Sequence, residues 1–271
     1  EQNISQTMDS RIWKAEQKIN QTIDARVWKA ESRLWNEIVD RTNAQTWNLL
    51  FELSEKKNQK NEISNIYDFT FYLDNRFHSI ISAQQILPTI FRFVPHESVV
   101  DFGCGTGTWL WVAERLGTKK IKGYDGAYVP KNFLMIPETC FSAVNLEKDI
   151  VSNTRYDLAI SMEVAEHLRE NSADRFVNTL CKSSDVVLFS AAHPGQGGAG
   201  HVNEQPLEYW IEKFDKKGYN YIQIQQLFFD NEKIEQWYRD NIALFVKNDE
   251  RYTLLKSAIF EMNTDVEGKE T

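Results

Sequence analysis

Strand-like and helix-like segments alternate from about residue 65 onward, and this alternation constrains the fold more than any other feature of the chain. Alternating strands and helices form a mainly parallel sheet with helices on both faces. We therefore predict an α/β fold with a doubly wound sheet. Its ligands should bind beyond the carboxyl ends of the strands. The candidate strands are Ser98–Phe102, Lys120–Tyr124, Asp157–Ser161, Asp185–Ser190, Tyr219–Leu227 and Asn241–Val246.

A glycine-rich turn, Asp101-Phe-Gly-Cys-Gly-Thr-Gly107, follows the first strand. A dinucleotide-binding turn would have its third glycine three residues after the second, but position 108 is a threonine. Asp101 would also repel a pyrophosphate, whereas it suits a ligand that carries an ammonium group. Asp125 ends the second strand, where a carboxylate can accept hydrogen bonds from both hydroxyls of a ribose. The alternative for Asp125 is a turn former before Gly126.

These motifs resemble those of the class I S-adenosylmethionine-dependent methyltransferases, over about residues 69–246. The resemblance implies a Rossmann-like sheet of seven strands and S-adenosylmethionine as the cofactor. It also implies that the cofactor contacts come from the motifs after the first four strands. The implied contact residues are Asp101, Gly103, Cys104, Gly105, Gly107, Asp125, Gly126, Asn145, Leu146 and Met162.

Four other segments resemble bacterial methyltransferases of surface-polysaccharide clusters: 71–77, 194–198, 200–205 and 237–241. This resemblance implies O-methylation of a saccharide hydroxyl, such as the end of a lipid-linked, O-antigen-like glycan during synthesis or chain termination. Two alternatives stay open: a methyltransferase for a small diol or phenol, and a coiled-coil scaffold that binds the cofactor without turnover. Candidate sugar-binding residues are Glu204, Gln205, Trp237 and Tyr238, although Trp237 also suits a core position.

Ligand-type side chains follow the fourth strand in Glu163-Val-Ala-Glu166-His167. On a helix these three side chains share one face, because residues i, i+3 and i+4 are neighbours. With a later histidine, the signature resembles the metal site of small-RNA 2′-O-methyltransferases and ubiquinone-pathway O-methyltransferases. That resemblance implies Mg²⁺ or Mn²⁺ held by Glu163, Glu166, His167 and His201. The alternative is that the acids only offset a helix dipole.

Two histidines lie in a glycine-rich loop, residues 191–201, directly after the fifth strand. Either His193 or His201 could take the proton of an acceptor hydroxyl. The resembling sequences favour His201 as base or metal ligand and His193 as an acceptor contact, and the alternative for both is a structural histidine. The candidate catalytic residues are therefore His201, His193, Glu163 and His167.

The amino-terminal part carries an internal repeat, in which residues 4–18 and 19–33 align with a period of 15. Its apolar residues step by 4, 4, 3 and 4, which predicts one long helix over residues 4 to about 55. Fifteen residues in four turns exceed the ~3.6 residues per turn of a free helix, so any supercoil should be right-handed. We expect self-association through this coiled coil, most simply as a trimer. The alternative is a long helix packed on its own domain.

The composition argues against several partner classes. The 271 residues include 39 acidic and 31 basic side chains, and a net charge of −8 disfavours nucleic-acid binding. No apolar run approaches the ~20 residues of a transmembrane helix, and no secretory signal is visible. Three cysteines without metal-type spacing favour a reducing cytoplasm. The resemblance to surface-polysaccharide enzymes implies peripheral contact with the inner membrane through glycan-assembly partners. The expected domains are a 1–58 stalk, a 65–248 methyltransferase domain and a 249–271 tail.

Overall fold

The computed structural model describes residues 69–148, 150 and 154–267, with the backbone alone for 69–77, 251 and 261–267. The predicted stalk and its self-association lie outside the described residues. A seven-stranded sheet forms the centre of the described part, so the predicted Rossmann-like sheet is confirmed. Its strands are β1 Ser98–Phe102, β2 Lys120–Asp125, β3 Phe141–Ala143, β4 Leu158–Met162, β5 Val186–Ser190, β6 Tyr219–Gln223 and β7 Ala243–Lys247.

Helices connect most of the strands. They are α1 Phe69–Phe91, α2 Thr108–Arg115, α3 Ala173–Ser183, α4 Leu207–Asp215, α5 Gln236–Asn241 and α6 Glu250–Glu267. The segment that was expected to be a tail is thus largely helical, and Leu255 and Ile259 of α6 are buried in the core. Within the described ranges, no helix is long and apolar enough to cross a bilayer.

The strand order is β3-β2-β1-β4-β5-β7-β6. Strands β1 to β5 pair in parallel, whereas β7 runs antiparallel to both β5 and β6. The order reverses between β1 and β4, and a crevice forms beyond the carboxyl ends of strands at such a switch point. Asp101 at the end of β1 lies opposite Gly123 of β2 and Ile160 of β4. The glycine-rich turn therefore begins at the middle of the sheet.

Both faces of the sheet are covered. Neighbouring residues of a strand face opposite sides, as Val99 and Val100 do in β1. The Val99 side packs against α1, α2 and α6, and the Val100 side packs against α3 and α4. This arrangement explains the continuous apolar sequence of β4 and β5, whose residues are all buried.

Three strand predictions need correction. Strand β6 stops at Gln223, because the Gln225 side chain binds Tyr221 Oη and the backbone N–H of Ile224 and starts a 3₁₀ turn. Strand β7 starts at Ala243 and not at Asn241, which belongs to α5. Strand β3 was missing from the candidate strands, because its three residues are too few to give a periodic pattern.

Candidate active site at the carboxyl edge of the sheet

A cavity of about 520 Å³ lies beyond the carboxyl ends of β1, β2 and β4. Residues from the loop after β5 and from α5 complete its wall. It brings together most of the residues predicted from the sequence: Asp101, Gly103, Cys104, Gly105, Asp125, Leu146, Met162, Glu163, Glu166, His167 and His201. Six predicted residues do not line it: Gly107, Gly126, Asn145, His193, Glu204 and Gln205.

The glycine-rich turn is fixed to β2 by backbone hydrogen bonds. Gly103 N and Cys104 N donate to Tyr124 O at 2.8 and 3.2 Å, and Gly105 N donates to Asp125 Oδ2 at 2.6 Å. Gly103 has φ +86°, and a Cβ there would lie 2.2 Å from the side chain of Val164. Only glycine fits at this position. The glycines of the turn thus place backbone, and no side chain, at the floor of the cavity.

Asp101 and Asp125 form a buried acid pair at the inner end of the cavity. Burial and the neighbouring Asp125 raise the pKa of Asp101 well above its usual range. Among the described residues, Asp101 Oδ2 has no hydrogen-bond partner. Asp125 Oδ1 accepts from Gly126 N at 2.6 Å and from Tyr128 Oη at 2.7 Å, but burial still raises its pKa. This end of the cavity therefore suits a cationic or hydroxyl-bearing ligand.

Three of the predicted residues that do not line the cavity shape the loops around it. Gly107 caps the start of α2 with φ +85°, and Gly126 lies under the ring of Tyr128. Asn145 Oδ1 accepts from Glu147 N at 2.9 Å and closes a turn, which leaves the adjacent Leu146 buried in the cavity wall. These three residues act on the cavity by fixing the loops around it.

Glu163, directly after β4, adopts a left-handed backbone conformation. It is the one non-glycine residue of the described part with positive φ, at +54°. Ser190 holds it there, because its carbonyl and hydroxyl oxygens accept from Glu163 N at 3.1 and 2.9 Å. Such a conformation costs on the order of 1–3 kcal/mol and persists where the surroundings enforce it. The chain then forms a 3₁₀ turn, Ala165–His167, so the predicted helix is wrong.

The Glu163 side chain belongs to an amide network. Its carboxylate accepts from Gln196 Nε2 at 2.9 Å and from Asn241 Nδ2 at 3.1 Å, and Asn241 Nδ2 also donates to Gln196 Oε1 at 2.8 Å. Burial raises the pKa of Glu163, against the effect of these donors. Because the left-handed turn directs Glu163 to the amides, it is not in the group of potential metal ligands. Of the four predicted metal ligands, the structure thus brings three together.

Glu166, His167 and His201 do form a cluster, in which one potential ligand atom of each lies within 4.8 Å of the others. Glu166 is fully buried, and neither carboxylate oxygen has a hydrogen-bond partner among the described residues. Burial and the charge of Glu163 raise the pKa of Glu166 to about 9. Burial and His201 lower the pKa of His167. The cluster therefore places three potential ligand atoms together on the cavity wall.

Both histidines of the cluster are oriented through Nδ1. His167 Nδ1 lies 3.3 Å from Gly200 O, and His201 Nδ1 lies 2.8 Å from Glu204 Oε1. The loop is anchored to the cluster, because Val202 N and Asn203 N both donate to Glu166 O. His193 is instead exposed, with Nδ1 at 3.2 Å from Pro194 O.

The outer wall carries aromatic side chains from α5. Trp237 is 37% exposed, whereas Tyr238 is buried, with Oη 3.2 Å from Ser79 Oγ. Burial raises the pKa of Tyr238 to about 12. Sequence reasoning gave no role to Tyr128, Gln196 and Ser79, which also line the cavity. Of these three, only Gln196 could have been found from the sequence, because it lies in the glycine-rich loop after the fifth strand.

Residues 48–240 match the family described as "Methyltransferase domain". The chain belongs to this family. The predicted methyltransferase resemblance is thereby confirmed at the level of the domain. No curated protein matches the sequence.

Several solved structures share this fold. The sugar N-methyltransferase KedS8 from Streptoalloteichus sp ATCC 53650 has a TM-score of 0.52 at 11% identity, over 70% of this chain and 99% of that chain. CalS10, an amino pentose methyltransferase from Micromonospora echinaspora with bound SAM, gives 0.52 at 12% identity, over 69% and 100%. DesVI from Streptomyces venezuelae gives 0.51 at 12% identity, over 69% and 100%. At these identities the likeness shows the fold alone.

Proposed function

We propose that this protein is an S-adenosylmethionine-dependent O-methyltransferase that acts on a saccharide hydroxyl in bacterial surface-glycan synthesis or chain termination. The observation that carries the proposal is one cavity with an acid pair at its inner end and the cluster of Glu166, His167 and His201 along its wall. Membership of the methyltransferase family supports methyl transfer. The four segments that resemble surface-polysaccharide enzymes support a saccharide acceptor, and the sugar-modifying proteins with this fold are in keeping with it.

The inner end of the cavity fits S-adenosylmethionine. The buried Asp101 Oδ2, which has no partner in the described part, suits the ammonium group of the amino-acid moiety. Asp125 suits the ribose hydroxyls; Gly105 N and Gly126 N keep its carboxylate in place, while Tyr128 Oη gives way to a ribose hydroxyl. When bound, the cofactor supplies a methyl group that is activated by a positively charged sulfur.

The cluster fits the acceptor side of the reaction. Methyl transfer is a displacement, so alignment of the acceptor and exclusion of water supply much of the rate. A saccharide hydroxyl is a poor nucleophile at neutral pH and gains from a base. We assign that role to His201, which takes the proton at Nε2 because Nδ1 is bonded to Glu204. The half-exposed indole of Trp237 offers an apolar surface for the C–H-rich face of a sugar ring.

The cluster also fits a divalent metal ion. Glu166 has two buried oxygens without a partner in the described part, and each histidine is oriented by an oxygen acceptor at Nδ1, as metal-bound histidines usually are. Glu166, His167 and His201 would hold the ion, which would polarise the acceptor hydroxyl. With Glu163 outside the set, two imidazoles and one carboxylate suit Mn²⁺ better than Mg²⁺.

Transfer of label from [methyl-³H]S-adenosylmethionine to a panel of free and lipid-linked oligosaccharides tests the proposal. The panel includes catechol, which represents the small diol and phenol acceptors. We expect label in an oligosaccharide, and His201→Ala should lower the rate by ~10²–10⁴. His96→Ala is the matched control, because His96 lies in the turn before β1, at the opposite edge of the sheet, and should keep the rate.

Two outcomes would contradict the proposal. Label in catechol alone would favour the small-molecule enzyme, and binding of the cofactor without transfer to any acceptor would favour the scaffold. Full activity in His201→Ala would remove His201 from the reaction, both as base and as metal ligand.

A further inference from the structure

Glu204 is the residue that holds His201, although the sequence suggested it as a sugar contact. It lies in the segment between the glycine-rich loop and α4, and it does not line the cavity. Its carboxylate accepts three hydrogen bonds of 2.8 Å each: Oε1 accepts from His201 Nδ1 and Gly197 N, and Oε2 accepts from Gly195 N. Both oxygens are therefore engaged within the protein.

These bonds determine the state of the His201 ring. Gly195 N and Gly197 N can only donate, so the Glu204 carboxylate accepts from both of them and meets His201 Nδ1 as an acceptor. An ionised carboxylate only accepts hydrogen bonds. The proton of a neutral His201 must therefore be on Nδ1, which leaves the lone pair on Nε2.

The same carboxylate fixes the loop. Gly195 and Gly197 have positive φ angles, +87° and +74°, which turn their N–H groups towards Glu204. The ring of His201 then packs against Gly198, where a Cβ would lie 2.3 Å from His201 Nε2. Residues 196–199 and 201 line the cavity. One side chain thus couples the shape of the loop to the orientation of the histidine.

We propose that Glu204 is a positioning residue that keeps His201 in the Nδ1–H tautomer with Nε2 available to the reaction. The inference rests on the proposed function of His201, and it holds whether Nε2 accepts a proton or binds a metal ion. Carboxylates that orient an active histidine in this way typically contribute 10- to 100-fold to activity or metal affinity.

The tautomer can be measured without a substrate. In ¹⁵N-histidine-labelled full chain at alkaline pH, long-range ¹H–¹⁵N spectra distinguish the two neutral tautomers, and the His201 signals are those missing from His201→Ala. We expect the Nδ1–H form in the wild type and a shift towards the Nε2–H form, which the side chain of free histidine prefers, in Glu204→Ala. Glu97→Ala is the control, because Glu97 is exposed and pairs with Lys119 near the amino end of β1. An unchanged His201 tautomer in Glu204→Ala would overturn the inference.

A double-mutant cycle separates positioning from a general effect on the loop. With the oligosaccharide panel, Glu204→Ala should lower kcat by about 10- to 100-fold and change KM little. Glu204→Ala combined with His201→Ala should be no slower than His201→Ala alone, because both changes remove the same function. Additive losses would mean that Glu204 acts through the loop or the acceptor, and would overturn the inference.

The outcomes for His201 and Glu204 can be told apart. Full activity in His201→Ala would defeat the proposed function of His201 and, with it, this inference. An inactive His201→Ala variant together with an unmoved tautomer in Glu204→Ala would defeat only the inference about Glu204.

Discussion

Replacement of Asp125 by alanine should weaken the binding of S-adenosylmethionine. The Asp125 carboxylate accepts from two backbone N–H groups and from Tyr128 Oη. Two ribose hydroxyls would add two hydrogen bonds and displace that of Tyr128, a net gain of one bond to a charged group. Such a bond contributes ~1.5–3 kcal/mol. We therefore expect the dissociation constant to rise about 10- to 200-fold.

Calorimetric titration of the full chain with S-adenosylmethionine measures this change. Asp215→Ala is the matched control, because it removes the same charge at the exposed end of α4 and should bind as tightly as the wild type. Since Tyr128 Oη competes for the same oxygen, Tyr128→Phe should bind the cofactor more tightly than the wild type. Unchanged affinity in a folded Asp125→Ala variant, or preferential binding of NAD by the wild type, would refute the cofactor assignment.

Three further predictions concern stability, metal use and the stalk. Burial raises the pKa of Asp101 above its unfolded value of about 3.9, so folding binds protons and stability falls as the pH rises from about 4. Asp101→Asn should therefore raise the melting temperature of the cofactor-free protein more at about pH 8 than at about pH 4, and a pH-independent difference would contradict this. If the protein uses the metal site, chelation should abolish turnover and leave cofactor affinity intact, and Mn²⁺ should then restore more activity than Mg²⁺. Full turnover after chelation would exclude a role for a metal ion. Sedimentation should find an oligomer, most simply a trimer, for the full chain and a monomer that keeps cofactor binding for residues 60–271, whereas a monomeric full chain at micromolar concentration would contradict the coiled coil.

We propose that the inner end of the cavity binds the cofactor, and this end could be predicted from the sequence because its signals are local. Asp101 and the glycines lie within seven consecutive residues, and Asp125 ends the neighbouring strand. Since adjacent parallel strands end at the same edge, their order along the chain was enough to bring these residues together.

The other end of the cavity, where we propose that the acceptor reacts, could not be predicted in the same way. Contacts between residues far apart in the sequence determine its geometry. The backbone of Glu163 is set by Ser190, 27 residues later, and its side chain by Asn241, 78 residues later. The i, i+3 and i+4 spacing of Glu163, Glu166 and His167 assumed a helix and could not reveal either contact. The role of Glu204 was hidden for a similar reason: it depends on positive φ angles at Gly195 and Gly197 that bring two N–H groups to one carboxylate.

The position of the transferred methyl group tests most directly whether the protein methylates a saccharide oxygen with S-adenosylmethionine. The full chain is incubated with S-adenosylmethionine that carries a ¹³C-labelled methyl group and with the oligosaccharide panel, and the products are studied by mass spectrometry and ¹³C NMR. We predict a product that is heavier by one labelled methyl substitution and shows an O-methyl signal on a sugar ring, and we expect it to form ~10²–10⁴ times more slowly when His201→Ala replaces the wild type. A labelled methyl on a sugar nitrogen, or no labelled saccharide while the cofactor binds, would contradict the account.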